Sequence, residues 1–182
     1  AFDRALDAIH PNPGAAIPHD WVSGSDVFSL TTAVNFLYVL DPGGWPSRAA
    51  YLAALGTTNH DVLIADAFDN DQVLLTAANV TALQLKADGA ARLAIAYMSI
   101  GEAENFRYYW QSSWDNNRPD WMDKPNPEFP DDFKVRYWDP DWQAIVFGNA
   151  GSYLEKILAA GFDGVYLDIV DGYEYWEEKF GR

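Results

Sequence analysis

The chain has 182 residues, of which 49% are hydrophobic, 15% aromatic and 21% charged. This composition is typical of a globular protein with a packed core and excludes an intrinsically disordered chain. The 27 acidic and 12 basic residues give a formal net charge of -15, and so negative a protein repels both nucleic acid phosphates and an anionic membrane surface. We therefore expect neither nucleic acid nor a membrane as its partner.

The chain contains no cysteine, which excludes disulfides, thiolate nucleophiles and Cys-ligated zinc but leaves the compartment undecided. Its longest apolar runs, residues 34–40 and 94–100, have the length of a β-strand, whereas a membrane span needs ~20 residues. The sequence begins at Ala1 with neither a Met nor a charged and apolar leader, which is consistent with the mature form of an exported protein or with a shortened chain.

Residues 1–32 are predicted to form an irregular arm, because they contain the turn-forming segments HPNPG, IPHD and SGSD. Only the segment DRALDAI is expected to form a helical turn or two. We expect this arm to lie outside the main folded body, residues 33–182, and to be available as a cover for an exposed sheet edge.

Four short apolar runs predict buried β-strands: AVNFLYVLD, DVLIAD, RLAIAYMSIGE and DGVYLDI, at residues 33–41, 61–66, 92–102 and 163–169. The first is followed by a helix that begins near Pro46 and ends at Gly56. A second helix is expected to be capped by Thr76 and closed by Asp88-Gly89.

Residues 102–132 are rich in Trp, Asn, Asp and Pro and predict a long binding loop. A short strand is expected at 133–139, then a helix capped by Asp139-Pro140 and another opened by a Ser152/Glu155 capping box. Strands that alternate with helices through short connections predict an α/β fold with a parallel sheet. No glycine-rich phosphate loop follows the first strand, which argues against a nucleotide-binding Rossmann domain.

An acidic residue ends or follows each of the four strands: Asp41, Asp66, Glu102 and Asp168. The carboxyl ends of parallel strands meet at one rim, which is where α/β proteins place their active sites. The alternative is that such acids cap helices and start turns.

Aromatic residues are expected around the same rim, as platforms for a flat ligand such as a sugar ring; they are Tyr97, Tyr108, Tyr109, Trp110, Trp114, Trp121, Tyr137, Trp138, Tyr166, Tyr173 and Trp176. Carboxylates among aromatics favour glycoside chemistry, which typically uses two carboxyl groups.

A metal site is a weaker alternative. The segment DAFDND, or Asp168 with Asp171, offers oxygen ligands for calcium, but the EF-hand spacing and its Glu are missing. The histidines, His10, His19 and His60, are scattered and form no HExxH pair for zinc. We therefore expect neither a metal nor an organic cofactor.

Two segments, YMSIGEAENFRYYW at 97–110 and the run 135–176 that contains GFDGVYLDIVDGY, resemble glycoside hydrolase family 114, the endo-α-1,4-polygalactosaminidase-like proteins, which include bacterial members. The resemblance begins at the first strand. It implies a secreted TIM-type (β/α)8 barrel that cleaves α-1,4-linked galactosamine polymers, endo-acting and retaining, with a strand-end Asp as nucleophile.

In this sequence the nucleophile's position matches Asp168, and Glu102 and Glu104 are the further candidate catalytic residues. Asp171 and Arg107 fall on positions that the family keeps polar around the sugar. The other expected substrate-binding residues are those of the rim: Asp66, Tyr97, Trp110, Trp138, Tyr166 and Tyr173. The expected partner is thus a polysaccharide.

The chain departs from the family in one respect. A complete barrel usually needs ~250 residues, whereas this sequence predicts only about four or five of the eight strands, and the family's acid/base Glu would lie beyond Arg182. A fragment of a longer polypeptide is the preferred explanation. The alternatives are two copies that associate to complete a barrel, or Glu102 or Glu104 in the acid role. A sugar-binding protein without turnover, on a partial barrel, is the alternative function.

Overall fold

The computed structural model describes residues 25–181. The predicted DRALDAI turn and most of the predicted arm lie outside the described residues. The strands are β1 (Phe36–Val39), β2 (Val62–Ala65), β3 (Leu93–Ser99), β4 (Glu102–Glu104), β5 (Met122–Pro125), β6 (Asp132–Val135) and β7 (Gly164–Asp168). The helices are α1 (Arg48–Gly56), α2 (Ala77–Leu83), α3 (Pro140–Val146), α4 (Tyr153–Ala160) and α5 (Gly172–Phe180).

The strands form two sheets within the described residues. The four predicted apolar runs form one four-stranded sheet in the order β1-β2-β3-β7. Its β1/β2 and β2/β3 pairs are parallel, with Phe36 opposite Val62 and Val62 opposite Leu93. Helices separate consecutive strands of this sheet, so the predicted parallel α/β fold is confirmed. The three-stranded sheet β4-β6-β5 is antiparallel.

The chain divides into two compact units. The first comprises the described residues up to Tyr97 together with Ile157–Tyr166, and it contains β1, β2 and most of β3 and β7. The second comprises Met98–Lys156 and the chain from Leu167 onward, with the antiparallel sheet, α3 and α5.

The first unit has an apolar core around its parallel strands. All four residues of β2 are buried, as contiguous Val, Leu, Ile and Ala predict for a strand covered on both faces. Helix α1 buries its side chains Tyr51 and Leu55, and helix α2 buries Val80 and Leu83. At ~25 cal/mol per Å² of apolar surface, burial of such side chains stabilises the unit by about 2 kcal/mol each.

Arg92, a buried polar residue, connects the ends of both helices in the first unit. Its guanidinium donates to Leu83 O of α2 at 2.6 Å and to Leu55 O of α1 at 3.1 Å, and also to Thr58 Oγ1 at 2.6 Å. Both carbonyls lie in the last turn of their helix, where the regular helical donors are missing. Leu55 O also accepts from Thr58 N–H at 3.1 Å and from Thr58 Oγ1 at 2.7 Å. Desolvation lowers the pKa of Arg92 to about 10, a cost that the hydrogen bonds offset.

The four-stranded sheet is curved. Neighbouring strands lie ~4.8 Å apart, so a flat sheet would separate its outer strands β1 and β7 by ~14 Å. The rings of Tyr38 in β1 and Tyr166 in β7 nevertheless meet edge to face, with centroids 5.3 Å apart. The two tyrosines therefore share a concave face, as side chains do inside a barrel wall.

The second unit is built on aromatic packing. Trp121 and Trp142 have centroids 5.2 Å apart, and Trp114 packs edge-on against Trp121 at 5.2 Å. All three are buried. The expectation of an exposed aromatic platform is therefore wrong for Trp114 and Trp121, because both rings pack with Trp142 of α3 in the core of the second unit.

The predicted helix caps and helix ends are confirmed in part. Thr76 caps α2 in a capping box with Asn79, and Asp139 caps α3 with Pro140 in its first turn. Helix α2 ends at Leu83, short of the predicted stop, because the chain turns back to form a Leu85–Ala91 bridge with Gly89 at φ 88°. The capping box predicted at Ser152 is wrong, since its hydroxyl is buried with no hydrogen-bond partner. Among the described residues, no helix combines the length and the hydrophobicity that crossing a bilayer requires.

Candidate active site

Asp168 is the last residue of β7 and is half-buried. Its backbone carbonyl accepts a hydrogen bond of 3.1 Å from Ile100 N–H. Residues at the carboxyl end of a parallel strand project from the rim that hosts catalysis in barrel enzymes. The fold therefore gives Asp168 the location that the sequence predicts.

The residue after Asp168 has a strained backbone. Ile169 has φ 57°, a left-handed conformation that costs a β-branched residue about 1–3 kcal/mol. Its carbonyl accepts from Gly172 N–H at 3.1 Å. The turn between β7 and α5 is thus held by specific contacts.

Glu102 and Glu104, the other candidate catalytic residues, lie on β4. They are two residues apart and point to the same face. Glu102 accepts from Asn126 Nδ2 at 2.9 Å and forms an ion pair with Lys134. Glu104 accepts from Arg107 Nε at 2.5 Å and from Nη2 at 3.1 Å, a fork-shaped pairing that is strong and directional. Each buried carboxylate therefore has a cationic partner.

Asp132 joins this group, which sequence reasoning missed. It lies on β6 directly opposite Glu104. Burial, followed by repulsion from Glu104 and Glu102, raises the pKa of Asp132 to about 7. Its Oδ1 is buried without a hydrogen-bond partner. The only sequence signal was an acidic pair in a loop, because the effect depends on the β4–β6 register.

Arg107 and Trp110, two of the expected substrate-binding residues, both make contacts within the second unit. Arg107 is buried, and its guanidinium also lies 5.5 Å from the centre of the Tyr153 ring. Trp110 donates its indole N–H to Asp115 at 2.9 Å and packs against Trp114. Arg107 therefore positions Glu104, and Trp110 is only partly exposed to solvent.

Trp138 and Tyr173 come together in one groove of the second unit. The groove has a volume of about 380 Å³ and is lined by Tyr137, Trp138, Tyr173, Trp176, Glu177 and Phe180. Trp138 is 44% exposed and Tyr173 45% exposed, whereas Trp176 is buried. Half-exposed rings beside a carboxylate suit the apolar face and the hydroxyl or amine groups of a sugar. Asp171, exposed, immediately precedes α5.

The candidates in the first unit are Asp41, Asp66, Tyr97 and Tyr166. Asp41 is exposed and accepts from Gly43 N–H at 2.7 Å, which is the turn-starting role weighed as its alternative. Asp66 is buried and accepts from Phe68 N–H at 2.9 Å. Tyr97 is buried, and Tyr166 is 42% exposed.

The acidic segment DAFDND forms a turn. Asp69 accepts from Arg48 Nε at 2.7 Å and from Val73 N–H at 2.9 Å. Against the opposing effect of burial, the Val73 bond and Arg48 lower the pKa of Asp69. Within residues 25–181, no group of three or more His, Asp or Glu side chains is placed to hold a metal ion.

Comparison with known proteins identifies the family to which the chain is similar. The model of glycoside-hydrolase family GH114 matches residues 24–181. An uncharacterized protein of Methanocaldococcus jannaschii is 50% identical over 90 residues, covering 50% of this chain and 25% of the relative. An uncharacterized protein of Deinococcus radiodurans is 38% identical over 130 residues, covering 71% of this chain and 39% of the relative.

Two solved structures are similar at low sequence identity. The glycoside hydrolase domain of PelA from Pseudomonas aeruginosa has a TM-score of 0.49 and 20% identity, covering 79% of this chain and 46% of that chain. Ega3 of Aspergillus fumigatus, in complex with galactosamine, has a TM-score of 0.44 and 21% identity, covering 86% of this chain and 49% of that chain. The chain spans less than half the length of these relatives. Because the family model covers all of the described residues, this chain belongs to glycoside-hydrolase family GH114.

Proposed function

We propose that the protein hydrolyses α-1,4-linked galactosamine-containing polysaccharide as an endo-acting, retaining glycosidase. The family supports hydrolysis of a glycosidic bond. The observation that carries the proposal is the position of Asp168 at the carboxyl end of β7, fixed by the hydrogen bond from Ile100 N–H. We also propose that the protein acts outside the cell, where an intact polysaccharide is met.

In the proposed mechanism, the Asp168 carboxylate attacks the anomeric carbon and displaces the leaving sugar, whose oxygen takes a proton from a second carboxyl group. Water then hydrolyses the glycosyl ester, with that second group now acting as base. Glu102 and Glu104 each hold an ion pair, so we assign them to shaping the rim. The family resemblance implies that the acid is a carboxyl group on a later strand of the barrel, and we propose that role for it.

Charge supports an amino-sugar substrate. A polymer with free amines is cationic, and a protein with a net charge of -15 attracts it. Aromatic faces also favour ammonium groups. The groove of Trp138 and Tyr173 places two half-exposed rings beside Glu177, which suits a neighbouring sugar unit.

The test is turnover of galactosamine oligomers by the full-length protein and its Asp168→Asn variant. The expected result is loss of hydrolysis in Asp168→Asn and retention of anomeric configuration in the wild-type products, followed by NMR. Asp120→Asn, an exposed acid outside the site, serves as the control and keeps full activity. Hydrolysis by Asp168→Asn at close to the wild-type rate contradicts the assignment.

A sugar-binding protein without turnover is the second candidate, and the aromatic groove favours it. It predicts binding of the oligomers, with no product formed by the full-length wild-type protein. Calorimetric titration together with mass spectrometry of the oligomers distinguishes the two functions.

A further inference from the structure

The turn that follows Asp168 packs closely against the backbone of Gly101. A Cβ atom at Gly101 would lie 2.3 Å from the Ile169 carbonyl oxygen and 2.6 Å from its Cγ2. Both distances are far shorter than any real contact of that kind. No side chain therefore fits at position 101 while Ile169 keeps its place.

Gly101 itself lies in a rigid segment. The preceding Ile100 donates to Asp168 O at 3.1 Å and accepts from the indole N–H of the buried Trp142 at 3.0 Å. The carbonyl of Gly101 accepts from Val135 N–H at 3.4 Å. The segment 100–101 is thus tied to Asp168, to the aromatic core and to β6.

Ile169 is an unfavourable residue for its conformation. Its φ of 57° lies in the region that Gly and Asn adopt at low cost, and β-branched residues avoid it. Strain of this kind persists only where the surroundings over-determine it, and it clusters at functional sites. Here the surroundings are Gly101 and the hydrogen bond from Gly172 N–H to Ile169 O.

We propose that Gly101 and Ile169 are positioning residues for Asp168: their close contact holds the turn after β7 so that the carboxylate keeps its attacking geometry. The contact acts through the backbone of Asp168, since Ile169 is its direct neighbour and Ile100 its hydrogen-bond partner. The proposal rests on the proposed function, in which Asp168 is the nucleophile.

The experiment compares Gly101→Ala with Gly164→Ala in the full-length protein. Gly164 lies on the same strand as Asp168, and a Cβ there would lie 3.4 Å from the flexible end of Ile95, so the added methyl group fits. We expect Gly101→Ala to lower kcat about 100-fold with KM changed less than about threefold, because a misplacement of ~1 Å costs this much in rate. Gly164→Ala keeps kcat within about twofold of the wild type.

Ile169→Gly is the second variant, since Gly101→Ala adds a clash and risks misfolding. Glycine tolerates the positive φ and adds no atoms, so this variant folds while it loses the side-chain part of the contact with Gly101 and keeps the backbone carbonyl. We expect kcat to fall about tenfold, with the melting temperature close to that of the wild type. The 13Cγ chemical shift of Asp168 should move in this variant and stay unchanged in Gly164→Ala, whatever the substrate.

The outcomes separate the two proposals. If Asp168→Asn is inactive but Ile169→Gly keeps wild-type kcat and an unchanged Asp168 signal, the positioning role is overturned and the nucleophile stands. If Asp168→Asn remains active, the proposed nucleophile is overturned. A lowered kcat in Ile169→Gly together with a shifted signal supports the positioning role.

Discussion

Glu104 and Asp132 face each other across the β4–β6 ladder, and the ion pair with Arg107 belongs to Glu104. Asp132 is left beside two carboxylates on its own face of the sheet, and burial together with their repulsion raises its pKa to about 7. Two acids in register thus differ in their surroundings.

This arrangement makes stability depend on pH. The pKa of Asp132 is raised from 3.8 to about 7 on folding, so the folded state binds the proton more tightly than the unfolded state in that window. The free energy of unfolding should therefore fall as pH rises from about 4 to about 7. We expect Asp132→Asn to flatten this dependence in urea unfolding at a series of pH values. The exposed-acid variant Asp120→Asn should keep the wild-type slope, and an unchanged slope in Asp132→Asn would contradict the assignment.

Replacing Arg92 should destabilise the first unit. Arg92→Met removes the guanidinium that donates to Leu83 O and Leu55 O; Leu55 O keeps its hydrogen bonds from Thr58, whereas Leu83 O loses its buried donor. We expect the free energy of unfolding to drop by about 3 kcal/mol, measured by urea denaturation with circular dichroism. Arg118→Met, which removes a guanidinium from an exposed residue, should cost less than about 1 kcal/mol.

The indole N–H of Trp142 should matter beyond its packing. Trp142→Phe keeps a ring in the aromatic core but removes the donor to Ile100 O. We expect a loss of about 1–3 kcal/mol in the free energy of unfolding, from the unpaired carbonyl and the smaller ring. Trp138→Phe, at a residue that is 44% exposed, is the matched control. Equal losses in the two variants would show that the buried hydrogen bond contributes little.

Removing the rings of the groove should weaken binding of sugar oligomers. We expect Trp138→Ala and Tyr173→Ala each to raise the Kd by about tenfold, which corresponds to ~1.4 kcal/mol. Calorimetric titration measures the change. Phe129→Ala removes a ring that is 59% exposed and lies outside the groove, so its Kd should match the wild type. An unchanged Kd in both groove variants would exclude the groove as a sugar site.

The strands of the parallel sheet were determined by sequence alone. In β2, four contiguous apolar residues can be satisfied only by burial on both faces. Asp66 and Asp168 lie at strand ends as predicted, whereas Glu102 does not end β3 but begins β4 of the antiparallel sheet. The caps at Thr76 and Asp139 are equally local, because a side chain and the backbone two or three residues later decide them. The location of Asp168 at the end of β7 could be predicted for the same reason, because it depends on where one apolar run ends.

Only the tertiary structure decided the second unit and the details of the site. Strands β4 and β6 alternate polar and apolar residues, but over only three and four positions, so their pairing is decided by long-range contacts. The raised pKa of Asp132 depends on that register, and the burial of Trp114 and Trp121 depends on rings brought together from distant segments. The apolar run predicts that Ile169 continues the strand, whereas in the structure its contact with Gly101 and the hydrogen bond from Gly172 N–H hold it in a left-handed turn. Such features are properties of pairs of residues far apart in the chain, whereas sequence patterns report on neighbours.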